Sequence, residues 1–389
     1  MTALYLLEPQ ASAAWYPFAD CRPVAELRAG AWLIRERWEA IAQSEASGIL
    51  GAEHLHGFAE DGVPAVHAPR EIEGPALIGR SDFAPSGVRP ELPAEAARLV
   101  NDGETVGWWV PAGARWEPGA AYAAEAALEG MVLHGSYDLI TALEHLLVAD
   151  TADFTHERGD AVPDGCVVIG DPTDVVLLGA AVEPGVVFDV RHGAVVLEQH
   201  TYVKGGTRFE GPVYVGPGCE VSGGQVTRCS VGLRSKIRGE LHTSVFLGYA
   251  NKAHDGFVGH SVVGRWVNLG AGTTTSNLKN TYGPIHLNVA GERVETGRQN
   301  IGTLFGDHAK TAIGTMLDTG TVVGAGANLF GRPQPPKYVP PFAWGFDGET
   351  VRRDGFLTVA ARIMPRRQVA VTDDVRATLE RIYQHAAAR

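Results

Sequence analysis

An aliphatic or small residue returns every six positions through the second half of this 389-residue chain. The count includes Val176, Val182, Phe188, Leu197, Val203, Phe209, Val215, Val221, Val231, Ile237, Leu247, Ala253, Val263, Leu269, Thr275, Ile313, Val323 and Leu329, with slips between runs. A period of six matches neither the 3.6 of a helix nor the alternation of a two-sided strand. It predicts one short strand and one turn per repeat.

Three such repeats complete one coil, and stacked coils bury a continuous aliphatic column. Glycine and asparagine between the aliphatic positions tolerate the backbone angles that corners require. We therefore predict a parallel β-helix over residues 161–330, and known structures with this signature wind left-handed. Residues 279–300 break the period and predict an inserted hairpin around an Ala-Gly turn.

The flanking segments have a different texture. Residues 1–160 predict a compact α/β domain, with a helix in AWLIRERWEAIAQS and an amphipathic run in YDLITALEHLLVADTADF. In residues 331–389, the prolines of GRPQPPKYVPPFAWG exclude regular structure, and a terminal helix begins near Thr372, which can cap its first turn.

Composition excludes several classes of partner. The formal charge of −12 opposes extended contact with nucleic acid or an anionic membrane. No apolar run approaches the roughly 20 residues that span a bilayer, and the first segment has no basic n-region, so we expect a cytoplasmic protein. Four cysteines without paired spacing predict reduced thiols, with Cys219 and Cys229 at packing positions, and no metal site.

The stretch PFADCRPVAELRAGAWLI, residues 17–34, resembles the segment that follows the phosphate loop of sugar nucleotidyltransferases. The loop position itself reads LLEPQASAAWYP, without glycine and with an acid, Glu8, so the usual backbone cradle for phosphates is missing. Arg22 and Arg28 are candidates to contact phosphate instead. Arg35 and Arg37 are further candidates, although they also fit ordinary solvated helix positions.

The wider arrangement CRPVAELRAGAWLIRERWE resembles a divergent group of sugar nucleotidyltransferases that carry a hexapeptide β-helix. That group is related to the bifunctional N-acetylglucosamine-1-phosphate uridylyltransferase/glucosamine-1-phosphate acetyltransferase. Its acetyltransferase half has a Lys-Ala-Gly-His motif, then Val-Asn-Ile-Gly-Ala-Gly-Thr and an Asn. Similar residues here are Lys252-Ala253-His254, VNLGAGT from Val267, and Asn277.

The resemblance implies a site. His254 would be the base that takes the proton of a sugar amine, a role suited to a group with a near-neutral pKa. Acetyl-CoA would be the co-substrate, a retained nucleotidyl transfer would use Mg²⁺, and the sites would lie between subunits of a homotrimer. The implied cofactor contacts are Ala271, Thr315 and Ala325, and the implied sugar contacts are Lys252, Asn268 and Asn277.

Other readings of these residues stay open. His242 and His260 are rival bases, and Asn268 and Asn277 also fit corner positions chosen for backbone shape. Phe257 replaces a tyrosine of the acetyltransferase motif. In the stretch LRSKIRG, the side chain of Ile237 is expected to point into the prism, which places three cations outward: Arg234, Lys236 and Arg238. These cations fit a binding site for a sugar phosphate, and they fit a solvated strand edge equally well.

Three functions compete. The first is a transferase of sugar-nucleotide biosynthesis, performing nucleotidyl transfer, acetyl-CoA-dependent N-acetylation of a sugar phosphate, or both. The second is a non-catalytic trimer that binds nucleotide sugars or acts as a scaffold. The third, a metalloenzyme like the γ-class carbonic anhydrases, has His254 and His260 on one prism but lacks that family's ligand spacing.

Overall fold

A computed structural model describes residues 2–10, 12–157 and 159–388. The N-terminal part is built on a mixed seven-stranded sheet flanked by short two-stranded sheets. In spatial order its strands are Ala124–Ala127, Ala97–Asn101, Glu104–Val110, Ala76–Arg80, Ala3–Leu7, Ala46–Leu50 and Val66–His67. The two-stranded sheets pair Arg28–Ala29 with Trp32–Leu33, Ile72–Glu73 with Arg115–Trp116, and Phe83–Pro85 with Gly130–Val132.

Helix α1, Ile34–Ala42, forms within the stretch that predicted it. It packs on the sheet through Trp38, and a Cβ at Gly79 would lie 2.4 Å from that indole, so glycine permits the contact. The amphipathic run forms α2, Asp138–His145, and α3, Leu147–Asp153. The α/β prediction for this half is confirmed.

The expectation of solvated arginines on α1 is wrong. Arg37 is buried, bonds the carbonyl of Ala29 and pairs with Asp150. Arg35 pairs with Glu26 at 2.6 Å and with Glu39 on the next turn. Both guanidinium groups therefore hold the domain together rather than face water.

A parallel β-helix follows, which confirms the fold predicted from the six-residue period. One face contains nine strands: Val175–Leu177, Val195–Leu197, Val213–Val215, Ser230–Val231, Val245–Phe246, Val262–Val263, Thr303–Phe305, Thr321–Val323 and Tyr338–Val339. A second sheet contains Val167–Ile169, Ala181–Val182, Val187–Asp189, Tyr202–Val203, Thr207–Glu210, Glu220–Thr227, Lys236–His242, Asn251–Lys252, Phe257–Gly259, Asn268–Leu269, Lys310–Thr311 and Asn328–Leu329. Thr274–Thr275 pairs with Met316–Leu317, and His286–Val289 forms a hairpin with Glu292–Glu295.

At two of the predicted interior positions the true interior residue is polar, and the prediction is wrong there. Lys252, not Ala253, lies inside the prism, in register next to Ile237. Ile313 is 83% exposed, and Thr311 fills the interior position instead. In this run the interior positions therefore lie one residue earlier than predicted, at Phe246, Lys252 and Val258.

The C-terminal segment closes the cleft between the two halves. The proline-rich stretch, predicted to be irregular, contributes the strand Tyr338–Val339 to the prism. Helix α4, Arg353–Ile363, was not predicted, whereas α5, Asp373–Ala386, begins where expected, with the Thr372 hydroxyl accepting from the N–H of Val375. None of the helices in the described ranges has the length and apolarity to cross a bilayer.

Candidate functional site

His254 lies at a corner of the β-helix, in the turn that follows the strand Asn251–Lys252. Its side chain is exposed and has no hydrogen-bond partner among the described residues. It opens onto a groove of about 520 Å³, called here the His254 groove, lined by Arg238, Ala253, His254, Asp255, Gly256, Ala271 and Gly272. The predicted base, His254, and the predicted cofactor contact, Ala271, therefore line the same cavity.

The floor of the groove is backbone. The N–H of Gly272 donates to the carbonyl of Asp255 at 2.9 Å, which joins the two corners. Gly256 has φ +133°, and a Cβ there would lie 2.3 Å from the carbonyl oxygen of Thr273. Only glycine lets the coils approach this closely, so the groove is narrow and open to an extended ligand.

An ion pair borders the histidine. The Nε of Arg238 donates to the Asp255 carboxylate at 2.9 Å, and its Nη1 donates to the carbonyl of Ser222. Both side chains are largely exposed, so the pair adds little stability but places a cation and an anion beside the imidazole. No role was predicted for Asp255, although it directly follows the histidine.

Lys252 supports the corner from inside. Its side chain is fully buried, and its ammonium group donates to the carbonyls of His254 and, at 3.2 Å, Arg238. Burial lowers the pKa of Lys252 from 10.5 to about 8. The structure places this predicted sugar-binding residue beneath the groove rather than in it.

The coil that follows Ala271 carries two exposed apolar side chains. The N–H of Gly314 donates to the carbonyl of Ala271 at 2.8 Å, which brings Ile313 and Met316 to the same corner. These two side chains are 83% and 60% exposed. Thr315 is buried beside them, and its carbonyl accepts from the N–H of Thr274.

A second histidine cluster lies at a different corner. His242 and His260 have ring centroids 5.4 Å apart, and the Asn277 amide donates to Nδ1 of His260 at 2.8 Å. Burial, with His242 and Arg228 nearby, lowers the pKa of His260 to about 4; burial also lowers the pKa of His242. Asn277 therefore lies away from His254 and bonds His260, the alternative candidate for the base.

The three cations of LRSKIRG do not converge. Arg234 donates to the carbonyl of Arg367 at 2.6 Å. It lines a cavity of about 660 Å³ between the two halves of the chain, and the predicted cofactor contact Ala325 lines the same cavity. Lys236 and Asn268 line a third cavity, with Lys236 paired to Glu220 at 2.7 Å. Arg238 alone reaches the His254 groove.

The two N-terminal arginines predicted to contact phosphate form internal contacts in this fold. Arg22 is 1% exposed and pairs with Asp307 at 2.7 Å and Glu60 at 3.1 Å, across the junction with the β-helix. Arg28 is buried, bonds the carbonyl of Ala31 and lies over the Tyr214 ring, 5.3 Å from its centroid.

A partly buried carboxylate lies directly after the first strand of the seven-stranded sheet. Glu8 follows the first strand, and its oxygens accept from the N–H groups of Val24 at 2.5 Å and Ala25 at 3.1 Å. Burial raises the pKa of Glu8 from 4.5 to about 7. Its side chain occupies two backbone donors that would otherwise be free to bind an anion.

The predicted thiols are present as free cysteines, with Cys219 and Cys229 buried. Within residues 2–10, 12–157 and 159–388, no three His, Cys, Asp or Glu side chains lie close enough together to hold a metal ion.

Comparison with known proteins adds two findings. Residues 4–159 match the family model described as sugar nucleotidyl transferase. A bifunctional sugar-1-phosphate nucleotidylyltransferase/acetyltransferase of Sulfurisphaera tokodaii is 34% identical over 91 residues, 23% of each chain. The bifunctional protein GlmU of Methanocaldococcus jannaschii is 33% identical over 86 residues, which are 22% of this chain and 21% of the relative. The bifunctional protein GlmU of Methanococcus vannielii is 35% identical over 95 residues, which are 24% of this chain and 22% of the relative. The matched segments thus span less than a quarter of these curated relatives.

Proposed function

We propose that the chain is a transferase of sugar-nucleotide biosynthesis, because residues 4–159 match the sugar nucleotidyl transferase family model. Its β-helix transfers an acetyl group from acetyl-CoA to the amine of a sugar phosphate. The observation that carries the proposal is the exposed imidazole of His254 in a backbone-floored groove that also contains Ala271.

The His254 groove supplies the parts that acyl transfer needs. The amine nitrogen attacks the thioester carbonyl while neutral His254 accepts the amine proton. The carbon–sulfur bond then breaks, an amide remains on the sugar, and the departing thiolate takes up the proton. Arg238 offers a positive charge to a sugar phosphate, and the open backbone of Ala271–Gly272 offers hydrogen bonds to an extended pantetheine arm.

The exposed apolar side chains beside the groove support a homotrimer. Ile313 and Met316 are exposed apolar side chains on the coil that follows Ala271, and surfaces of this kind are often buried by neighbouring subunits. Light scattering after size exclusion tests this state, and Ile313→Asp should reduce the trimer fraction. We also propose a cytoplasmic location, because acetyl-CoA and nucleotide substrates are cytoplasmic metabolites.

Nucleotidyl transfer by the N-terminal domain is the weaker half of the proposal. Glu8 occupies the backbone donors of Val24 and Ala25, and this favours a domain that has lost nucleotidyl transfer. A non-catalytic trimeric binding or scaffold protein is therefore the second candidate.

Two assays separate these functions. Thiol release from acetyl-CoA with glucosamine-1-phosphate reports acetyl transfer, and pyrophosphate release from UTP, Mg²⁺ and N-acetylglucosamine-1-phosphate reports nucleotidyl transfer. We expect the first and little of the second. Absence of both across a panel of sugar phosphates and nucleotides, with thermal stabilisation by a nucleotide sugar, would establish the binding protein instead.

A further inference from the structure

The third cavity lies between the outward face of the β-helix and the turn after α4. It has a volume of about 400 Å³ and is lined by Lys236, Tyr249, Asn251, Trp266, Val267, Asn268, Lys310, Ile363, Arg366 and Arg367. We call it the basic pocket after its four cations, Lys236, Lys310, Arg366 and Arg367. It shares no lining residue with the His254 groove.

The cations of the basic pocket are poorly compensated. Lys310 is half-buried, and its ammonium group donates to the carbonyl of His308 at 2.8 Å. Arg367 reaches the Asn251 side-chain oxygen at 3.4 Å, and its Nε is buried without a partner. In the described part of the chain no carboxylate lies within ion-pair distance of Lys310, Arg366 or Arg367, and Glu220 acts on Arg367 only from farther away. Glu220, which pairs with Lys236, also pairs with Lys204.

The pKa values of two of these side chains, Lys310 and Arg367, are lowered. Burial lowers the pKa of Lys310 from 10.5 to about 8. Burial, with Arg366 close by, lowers the pKa of Arg367. Withdrawing cations from water without a counter-charge destabilises the folded chain, so a bound anion would relieve the repulsion. This cluster is unusual in a protein whose formal charge is −12.

The polar groups that line the basic pocket are suited to bind phosphate oxygen atoms. Arginine forks and an ammonium group donate to phosphate oxygens, and the amides of Asn251 and Asn268, already bonded to each other at 2.8 Å, lie between them. The stacked rings of Tyr249 and Trp266, with centroids 4.2 Å apart, form an adjoining wall. We propose that the basic pocket binds the diphosphate group of a phosphorylated small molecule.

Inorganic pyrophosphate is the direct probe, because it carries the charge without a sugar or base. We expect calorimetric binding to the full-length protein, and weakening by at least tenfold in Lys310→Gln and in Arg367→Gln. The control Arg362→Gln removes one exposed charge near the pocket without altering its lining, and should bind as the wild type does. Because each pocket variant also removes an uncompensated cation, both should melt at or above the wild-type temperature without ligand.

The result that overturns the proposal is equal pyrophosphate affinity in the wild type and both pocket variants, or no binding to the wild type. UDP and coenzyme A represent two sources of a diphosphate. Displacement of bound pyrophosphate by either one supports the pocket, and displacement by neither overturns it as a site for such ligands. The binding measurement needs no turnover, so it is independent of the acetyl-transfer proposal.

Discussion

Lys252 donates a hydrogen bond from inside the β-helix to the backbone carbonyl of His254, the residue proposed as the base. The same ammonium group bonds the carbonyl of Arg238, which belongs to the preceding coil. A buried charge thus ties together the two corners that form one side of the His254 groove. Lys252 does not touch the groove itself, so we treat it as a positioning residue.

Replacing Lys252 with methionine tests that role. The side chain keeps its volume, but the two carbonyls lose their donor, and the His254 turn becomes less ordered. We expect kcat for acetyl transfer to fall by roughly tenfold, since small displacements of a catalytic group are costly. The KM for the sugar phosphate should change less than twofold. An unchanged kcat in a folded Lys252→Met protein would show that the buried lysine only stabilises the coil.

Stability should rise with pH above about 8. The pKa values of Lys252 and Lys310 are both about 8 in the folded protein, against 10.5 in the unfolded chain. Between these values the unfolded chain binds more protons, so the free energy of unfolding increases by at most about 1.4 kcal/mol per pH unit for each group. Urea titrations from pH 7.5 to 9.5 measure the slope. Lys252→Met should have a smaller slope, and an identical slope would contradict the assignment.

Glu8 should oppose nucleotide binding. At pH 8 its carboxylate is charged and lies at the backbone donors of Val24 and Ala25. Glu8→Gln removes one like charge from the phosphate position. We expect UTP affinity to rise by about tenfold, equivalent to roughly 1.4 kcal/mol. Titration calorimetry with and without Mg²⁺ is the measurement. Equal affinities in the two proteins would place the nucleotide elsewhere.

Arg22 should contribute to stability rather than to substrate binding. It is buried between Asp307 and Glu60, so Arg22→Ala removes the ion pair of Asp307 and leaves Glu60 paired only with Arg265. We expect a loss of about 3 to 5 kcal/mol in the free energy of unfolding. The control Arg191→Ala removes an exposed guanidinium group whose partner Asp189 keeps its ion pair with Arg208, and it should cost less than about 1 kcal/mol. A stable Arg22→Ala protein with a raised KM for a sugar phosphate would reverse this assignment.

The architecture was predictable because a six-residue period belongs to few folds. The register failed where a polar side chain entered the prism, at Lys252 and Thr311, because the pattern counts aliphatic residues and these satisfy their polar groups internally. The basic pocket was beyond prediction for another reason. Arg367 and Asn251 are 116 positions apart, and nothing local indicates that α4 and its following turn pack on that face.

The site was predictable in outline and not in detail. The motif around His254 indicated a groove with Ala271, and these residues do line one cavity. Its spacing could not show that Asn277 bonds His260 at another corner, because side-chain partners across coils depend on how each turn closes. The roles of these residues stay predictions until turnover is measured.

The most direct measurement compares acetyl transfer to glucosamine-1-phosphate in His254→Ala, His260→Ala and the exposed control His192→Ala. Loss of a general base typically reduces turnover by 100-fold or more, which is about the decrease in kcat we predict for His254→Ala alone. All three proteins should melt near the wild-type temperature. Full activity in His254→Ala, or a comparable loss confined to His260→Ala, would contradict the account and move the chemistry to the corner that contains Asn277.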